Sequence, residues 1–316
     1  MTIKETTARI NKQFGAGALI RMGDTEHVPV QVISTGIPSL DSATGVGGFP
    51  RGRVIEIFGQ EAVGKTSISM SVIGQAQRGG ELCAIVDAEH AIDRDHAAKL
   101  GVNVDDLLIS QPSCGEEALE IAKALVESGD IAVVVVDSVA ALVPRAELEG
   151  EFGDAQMGLQ ARMMSQAMRK LTALVHKSNC VFIMINQMRD RIGVMYGNPA
   201  TTTGGKALRF YAGMRLEVSK AGAIKNGEEV IGARTKVKIQ KNKVSAPSKV
   251  AEFDLLYDRG FSRSGDIFDM AVTAGVVSKS GAWMTYGENR WQGRFNAVAF
   301  LDENPAILEE IEKELV

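Results

Sequence analysis

The sequence predicts an α/β fold in which a mostly parallel central sheet is flanked by helices, with an N-terminal helix and arm and a small α+β C-terminal module. Three observations predict it. Short apolar runs, Val54 to Phe58, Leu82 to Val86, Ile131 to Val136 and Cys180 to Ile185, alternate with helical stretches, as parallel strands joined by crossover helices do. Ile131 to Val136 is apolar at every position, as a strand covered on both faces requires. Directly after the first run stands Gly59-Gln60-Glu61-Ala62-Val63-Gly64-Lys65-Thr66. It matches G-x-x-x-x-G-K-[ST] and opens the helical Ser67 to Gln77, the strand-loop-helix context of a P-loop.

The remaining elements follow in order. Residues 1–26 are polar and helix-compatible and form a helix and arm; residues 27–262 form the core and 263–316 the C-terminal module. Met157, Ala161, Met164, Met168, Leu171 and Val175 recur at three- and four-residue spacing, which predicts one amphipathic helix from Ala155 to Lys177. After Gly213 the pattern changes to strands, and Thr235 to Gln240 alternates with period two, predicting an antiparallel extension of the sheet. From Arg263 short helices and turns surround Trp283 and Trp291 and end in the amphipathic Pro305 to Val316.

Composition removes several function classes. Apolar runs stop at six residues, against about twenty for a spanning helix, so no membrane span is expected. Met1 to Phe14 lacks the apolar stretch of an export signal, so nothing indicates export and a cytoplasmic protein is expected. Cys83, Cys114 and Cys180 are scattered and odd in number, which excludes a disulfide framework and a zinc knuckle. The formal net charge is −4, yet Lys220 to Lys249 holds eight basic residues against two acids. Such a strip can hold phosphates or be a solvated face.

The motif residues carry a nucleotide site. Glycines let backbone N–H groups curl around phosphates, Lys65 reaches the β and γ oxygens, and Thr66 offers its hydroxyl to Mg²⁺. Asp137 ends the apolar Ile131 to Val136 run and can hold the same metal through water. Glu89 follows the Leu82 to Val86 strand at the same sheet edge and can orient or deprotonate the attacking water. Gln187, after the strand ending at Asn186, can sense the γ-phosphate. A base-reading N-K-x-D is lacking, since Asn242-Lys243-Val244-Ser245 has no acid, so ATP is expected rather than GTP.

Longer strings are more specific. Asp137-Ser138-Val139-Ala140-Ala141-Leu142, Ala161-Arg162-Met163-Met164-Ser165-Gln166-Ala167-Met168-Arg169-Lys170, Gly193 to Pro199 and Thr201 to Gly205 closely resemble the bacterial RecA recombinases, as do Ile33 to Gly36 and Gly281 to Trp283. The resemblance spans nearly the whole chain and implies a RecA-type P-loop core. It further implies an ATP-dependent recombinase that forms a helical filament of its own copies on single-stranded DNA and pairs it with double-stranded DNA, in repair and the SOS response. It makes a LexA-type repressor an expected partner. By the same resemblance Glu147 to Gln156, with Met157 and Gly158, is the first DNA-facing loop, and Met188 to Thr203 the second. Arg162, Arg169, Arg189, Arg191 and the backbone at Gly204 and Gly205 would grip phosphates, while Ile192, Val194 and Met195 would wedge between bases. Lys241 and Lys243 match the pair that reaches a neighbouring subunit's γ-phosphate. The cofactor-binding set is Gly59 to Ser67, Asp93, His96 and Asp137.

Departures from the family pattern are local. His96 stands where a tyrosine typically stacks on adenine, Ala62 and Val63 replace serines, Asp190 replaces a neutral residue and Lys206 an asparagine. The N-terminal helix is short and a long acidic tail is lacking. These changes leave a second reading open, an accessory DNA-dependent ATPase with weak or no strand exchange. A hexameric helicase would share the ATPase core but not both loops.

Overall fold

The structure, a computed structural model, describes residues 2–24, 29–151, 158–190 and 200–315. The chain divides into two compact units, Met1–Gln31 and Val32–Val316. In the first, α1 (Ile3–Phe14) begins at a capping box: the Glu5 N–H donates to Thr2 Oγ1 at 3.3 Å and the Thr2 N–H to Glu5 Oε2 at 2.7 Å. Two otherwise orphaned donors are thereby satisfied.

In the second unit a small ladder of β1 (Val32–Ile33) and β2 (Phe49–Pro50) flanks α2 (Pro38–Thr44). The central sheet is built from β3 (Arg53–Gly59), β4 (Leu82–Asp87), β5 (Leu108–Ser110), β6 (Ile131–Asp137), β7 (Val181–Asp190) and β8 (Ala200–Thr202). It continues with β9 (Met214–Asn226), β10 (Glu229–Asn242), β11 (Val250–Leu256) and β12 (Gly260–Phe261). The order is β12-β11-β10-β9-β3-β7-β6-β4-β5, with β8 beside β7. Strands β9 to β5 along that path are mutually parallel, so the ends of β3, β4 and β6 at Gly59, Asp87 and Asp137, and Gln187 of β7 level with Gly59, fall on one edge. That carboxyl edge is where open α/β sheets bind ligands.

Alternation along the strands builds a core on each face. Ile55, Ile57, Ile85, Val133, Val135 and Ile183 pack on α3 (Lys65–Arg78). Val54, Val86, Val134, Val136, Phe182 and Met184 pack on α5 (Gly115–Ser128) and α7 (Leu159–Ser178). The connections also carry α4 (Arg94–Lys99), α6 (Arg145–Leu148) and α8 (Ala207–Tyr211). No helix among the described residues is long and apolar enough to cross a membrane.

Residues 263–316 have a core of their own. Here α9 (Arg263–Ala274), α10 (Arg294–Glu303) and α11 (Pro305–Glu314) cover the antiparallel β13 (Ser278–Ser280), β14 (Trp283–Tyr286) and β15 (Asn289–Gln292), around Phe268, Trp291 and Leu301. Arg234 bridges Asp254 and Asp269 at 3.0 and 2.6 Å, and Arg294 bridges the same two acids at 2.7 Å each. These four residues join β10 and β11 to α9 and α10.

Three expectations need correction. The first strand after Gly213, β9, pairs parallel with β3; only β10, β11 and β12 are antiparallel, because strand polarity is set by the chain path and leaves no local signal. Trp283 and Trp291 lie on strands rather than in turns, each too short for its period to be read. Helix α7 begins at Leu159, since Gly158 takes a left-handed φ of 82° at its N-cap; Ala155 to Met157 lie outside the described residues through 157.

One buried acid sets a stability prediction. Burial pushes Asp266 up to about 6, against the hydrogen bond its Oδ2 accepts from the Ser39 N–H at 2.7 Å. A carboxyl whose folded value exceeds its unfolded one favours folding below about pH 4, an advantage lost as pH rises through about 6. Asp266→Asn keeps the acceptor and removes the charge. It is expected to stabilise the chain by about 1–3 kcal/mol at pH 8 and by almost nothing near pH 4. Melting curves across that range check it, and an unchanged pH slope would refute it.

Candidate functional site

The loop between β3 and α3 begins at Gly59, where a Cβ would lie 2.2 Å from the Val218 carbonyl oxygen. Only glycine lets β3 run this close to β9 before the chain turns. Gly64, at φ 93°, then caps α3, whose first residues line an open cavity of about 600 Å³. Glu61 to Ser67 line it, with Glu89, His96, Asp137 and Gln187. Sheet geometry thus brings together residues that sequence order separates by more than a hundred positions.

Each group is held. Lys65 is 8% exposed and its Nζ donates to the Gln60 carbonyl at 2.5 Å. Burial lowers its pKa, while Asp137, Glu89 and Glu61 act to raise it. The Thr66 hydroxyl donates to Asp137 Oδ2 at 2.7 Å. Burial pushes Asp137 up to about 6, opposed by the Thr66 hydrogen bond and by Lys65. Glu89 is exposed to the cavity, and its Oε1 accepts from Ser138 Oγ and, at 3.0 Å, from Gln187 Nε2.

His96 lies on α4 with Nε2 3.0 Å from Ser67 Oγ. Asp93 caps α4, accepting from the Asp95 and His96 N–H groups at 2.8 and 3.0 Å, and does not line the cavity. Three further lining residues were not marked as site residues by the sequence, Ile185, Leu255 and Tyr257. Tyr257 is half exposed just past β11 on the same cavity as His96, and only the antiparallel extension carries it there. Ser138 was likewise missed as a partner of Glu89, although it directly follows Asp137.

The segments expected to face DNA sit beside this edge. Strand β7 runs past Gln187 to Asp190, beyond the predicted end at Asn186, and Met188 to Asp190 pair antiparallel with Ala200 to Thr202. The ends of the second loop therefore form a hairpin stem. Arg191, Ile192, Val194 and Met195 lie outside the described residues, as does Met157, and Arg189 is described by its backbone alone. Gly204 and Gly205, both at φ near 75°, return the chain against α7. A Cβ at the first would meet Val139 at 2.8 Å, and at the second Ala161 at 2.8 Å. Arg162 and Arg169 are exposed on α7, two turns apart, and Gly158 caps that helix.

Lys241 and Lys243 line no part of the cavity. Lys241 lies near the end of β10 and Lys243 just beyond it, and Lys241 Nζ donates to the Arg209 and Phe210 carbonyls at 2.8 and 2.9 Å. Burial lowers its pKa, as do Lys243 and Arg215. Lys243 is exposed.

Comparison with known proteins agrees over the full length. The RecA N-terminal domain family matches residues 1–262 and the RecA C-terminal domain family residues 265–316. Protein RecA of Citrifermentans bemidjiense is 59% identical over 311 residues, covering 98% of this chain and 92% of that protein. Protein RecA of Geobacter sulfurreducens is 58% identical over 312 residues, with the same coverages of 98% and 92%. Protein RecA of Pseudomonas putida is 56% identical over 308 residues, covering 97% of this chain and 87% of that protein. A crystal structure of the RadB recombinase is similar with a TM-score of 0.56 at 23% identity, covering 73% of this chain and 98% of that one, a likeness of fold.

Proposed function

The chain belongs to the RecA family, and from that premise we propose how its residues divide the work of an ATP-dependent DNA recombinase. As a family member it is a DNA-dependent ATPase that binds DNA and assembles with its own copies; the accessory-ATPase reading is not favoured. The loop Gly59 to Ser67 cradles the triphosphate, with Lys65 on the β and γ oxygens. His96 and Tyr257, which line the same cavity, serve the base.

The donor set fits Mg²⁺. Thr66 and Asp137 present adjacent hard oxygens, and a cation would relieve the buried Asp137 carboxyl. No group of three or more His, Cys, Asp or Glu that could hold a metal is found among the described residues, so Thr66 and Asp137 would hold the ion in company with the nucleotide, as suits Mg²⁺. When bound it would neutralise charge on the β and γ oxygens. Glu89 orients the attacking water and accepts its proton, and the Ser138 and Gln187 hydrogen bonds fix that carboxylate in place. Lys241 and Lys243 serve the pocket of a neighbouring copy.

The Gln187–Glu89 hydrogen bond at 3.0 Å carries this reading. Gln187 ends the nucleotide edge and begins the second loop, so one side chain touches both the hydrolytic carboxylate and the root of the DNA grip. Arg162, Arg169, Arg189 and Arg191 hold phosphates, and Ile192, Val194 and Met195 space the bases without reading them. The work is cytoplasmic, and a LexA-type repressor is proposed as a partner of the assembled form. The deciding assay pairs circular single-stranded with linear double-stranded DNA: heteroduplex that forms only with ATP supports strand exchange, whereas DNA-stimulated hydrolysis without heteroduplex defeats it.

Two further outcomes follow. Glu89→Gln is expected to slow turnover by about 100-fold or more while ATP and DNA still bind; unchanged turnover would remove Glu89 from the chemistry. If the four arginines each neutralise one phosphate, affinity for single strands falls roughly 50-fold per protomer site between about 50 and 200 mM salt. A flat salt titration would contradict phosphate gripping.

A further inference from the structure

Glu56 is fully buried in mid-sheet, 0% exposed, where a carboxylate requires close compensation. On β3 it lies level with Arg215 of β9 on one side and Met184 of β7 on the other, so Asn186 is the next β7 residue on its face. Its Oε2 accepts from Arg215 Nε, and its Oε1 from Asn186 Nδ2 at 3.0 Å. The Arg215 guanidinium is covered by the Phe58 ring, with its carbon 4.5 Å from the centroid.

Both ends of this group lead to functional segments. Asn186 Oδ1 accepts from the Gln187 N–H at 2.9 Å and from Thr203 Oγ1 at 2.5 Å, while its Nδ2 also reaches the Thr203 carbonyl at 3.2 Å. One amide therefore clips the entry and the exit of the second loop together. On the other side, Arg215 faces Lys241 in the β9–β10 ladder, just beyond a register shift after Ile239. Lys241 in turn is tied to the last carbonyls of α8, the helix that follows the loop.

We propose that Glu56, Asn186 and Arg215 form a positioning network that holds the root of the second loop and the strand bearing Lys241 in one register. DNA held by the loop thereby sets the pose of the lysines offered to the neighbouring copy. The inference rests on the roles given above to Gln187, Lys241 and Lys243. Apolar residues of equal volume usually serve stability as well as a buried ion pair does. What the charged set adds is a single permitted alignment of three strands, and a directional link that apolar packing lacks.

The test uses the full chain with ATP, Mg²⁺ and single-stranded DNA. Asn186→Ala removes the clip and leaves the Glu56–Arg215 pair; Glu56→Gln keeps an acceptor for Asn186 and removes the charge. Melting temperature, ATP KM, DNA affinity and kcat with DNA are measured for each. The expected result is a DNA-stimulated kcat lowered by about tenfold, with KM and DNA affinity within about twofold of the unsubstituted chain. A kcat within about twofold in the folded variants overturns the proposal. So does a parallel loss of kcat, KM and DNA affinity, the mark of a merely structural role. If Glu56→Gln does not fold, Asn186→Ala decides alone. The underlying roles are checked separately: an unsubstituted chain without DNA stimulation, or a Lys243→Ala chain that retains it, would fail those roles rather than the network.

Discussion

Lys65→Ala is expected to abolish ATP-dependent strand exchange, with a loss of about 1,000-fold or more in DNA-stimulated hydrolysis. The ammonium is 8% exposed and held by the Gln60 carbonyl, beside Asp137 and Glu89. Burial makes that charge costly on its own, and arriving phosphate oxygens repay the cost. Without it this chain's own pocket offers the triphosphate no side-chain cation, and Asp137, Glu89 and Glu61 are opposed only by backbone N–H groups, the helix end and whatever the metal and a neighbouring copy supply. The check is heteroduplex yield and phosphate release at saturating ATP, with a melting curve to show that the variant is folded. Retained strand exchange would remove the nucleotide assignment from this loop.

Lys243→Ala is expected to have the second largest effect, a fall of about 1,000-fold in DNA-stimulated hydrolysis with ATP still bound. Lys243 is exposed just beyond β10 and does not line its own chain's cavity. A mixing experiment tests whether it acts across a seam. Neither Lys243→Ala nor Glu89→Gln alone should turn over well. In an equal mixture, about a quarter of head-to-tail seams would join an intact Glu89 pocket to an intact Lys243, and that share of the rate should return. No recovery in the mixture would place Lys243 in its own pocket and defeat the trans role.

The legible parts of the molecule were those whose cause is local. The Gly59 to Thr66 loop needs a fixed spacing of residue types, and Ile131 to Val136 had to be a covered strand because every residue is apolar. Both could be read from neighbours in sequence. Asp137, Glu89 and Gln187 were legible for a related reason: each ends an apolar run, and parallel strands deliver such ends to one edge. Tyr257 could not be found this way, since it reaches the cavity only through the β9–β10–β11 ladder, whose polarity and register no short window encodes. Glu56 and Arg215 look like ordinary strand charges until their strands are adjacent. The parallel pairing of β9 was misjudged because alternation reports exposure, and exposure is blind to direction.

The close packing at Gly204 and Gly205 has a mechanical consequence. The return of the second loop lies against Val139, Met164 and Ala161, and the last two belong to the helix that displays Arg162 and Arg169. The glycines bring no side chain of their own to that contact, so one element cannot tilt far without displacing the other. If the proposed grip on a polynucleotide is made there, its two sides are mechanically joined.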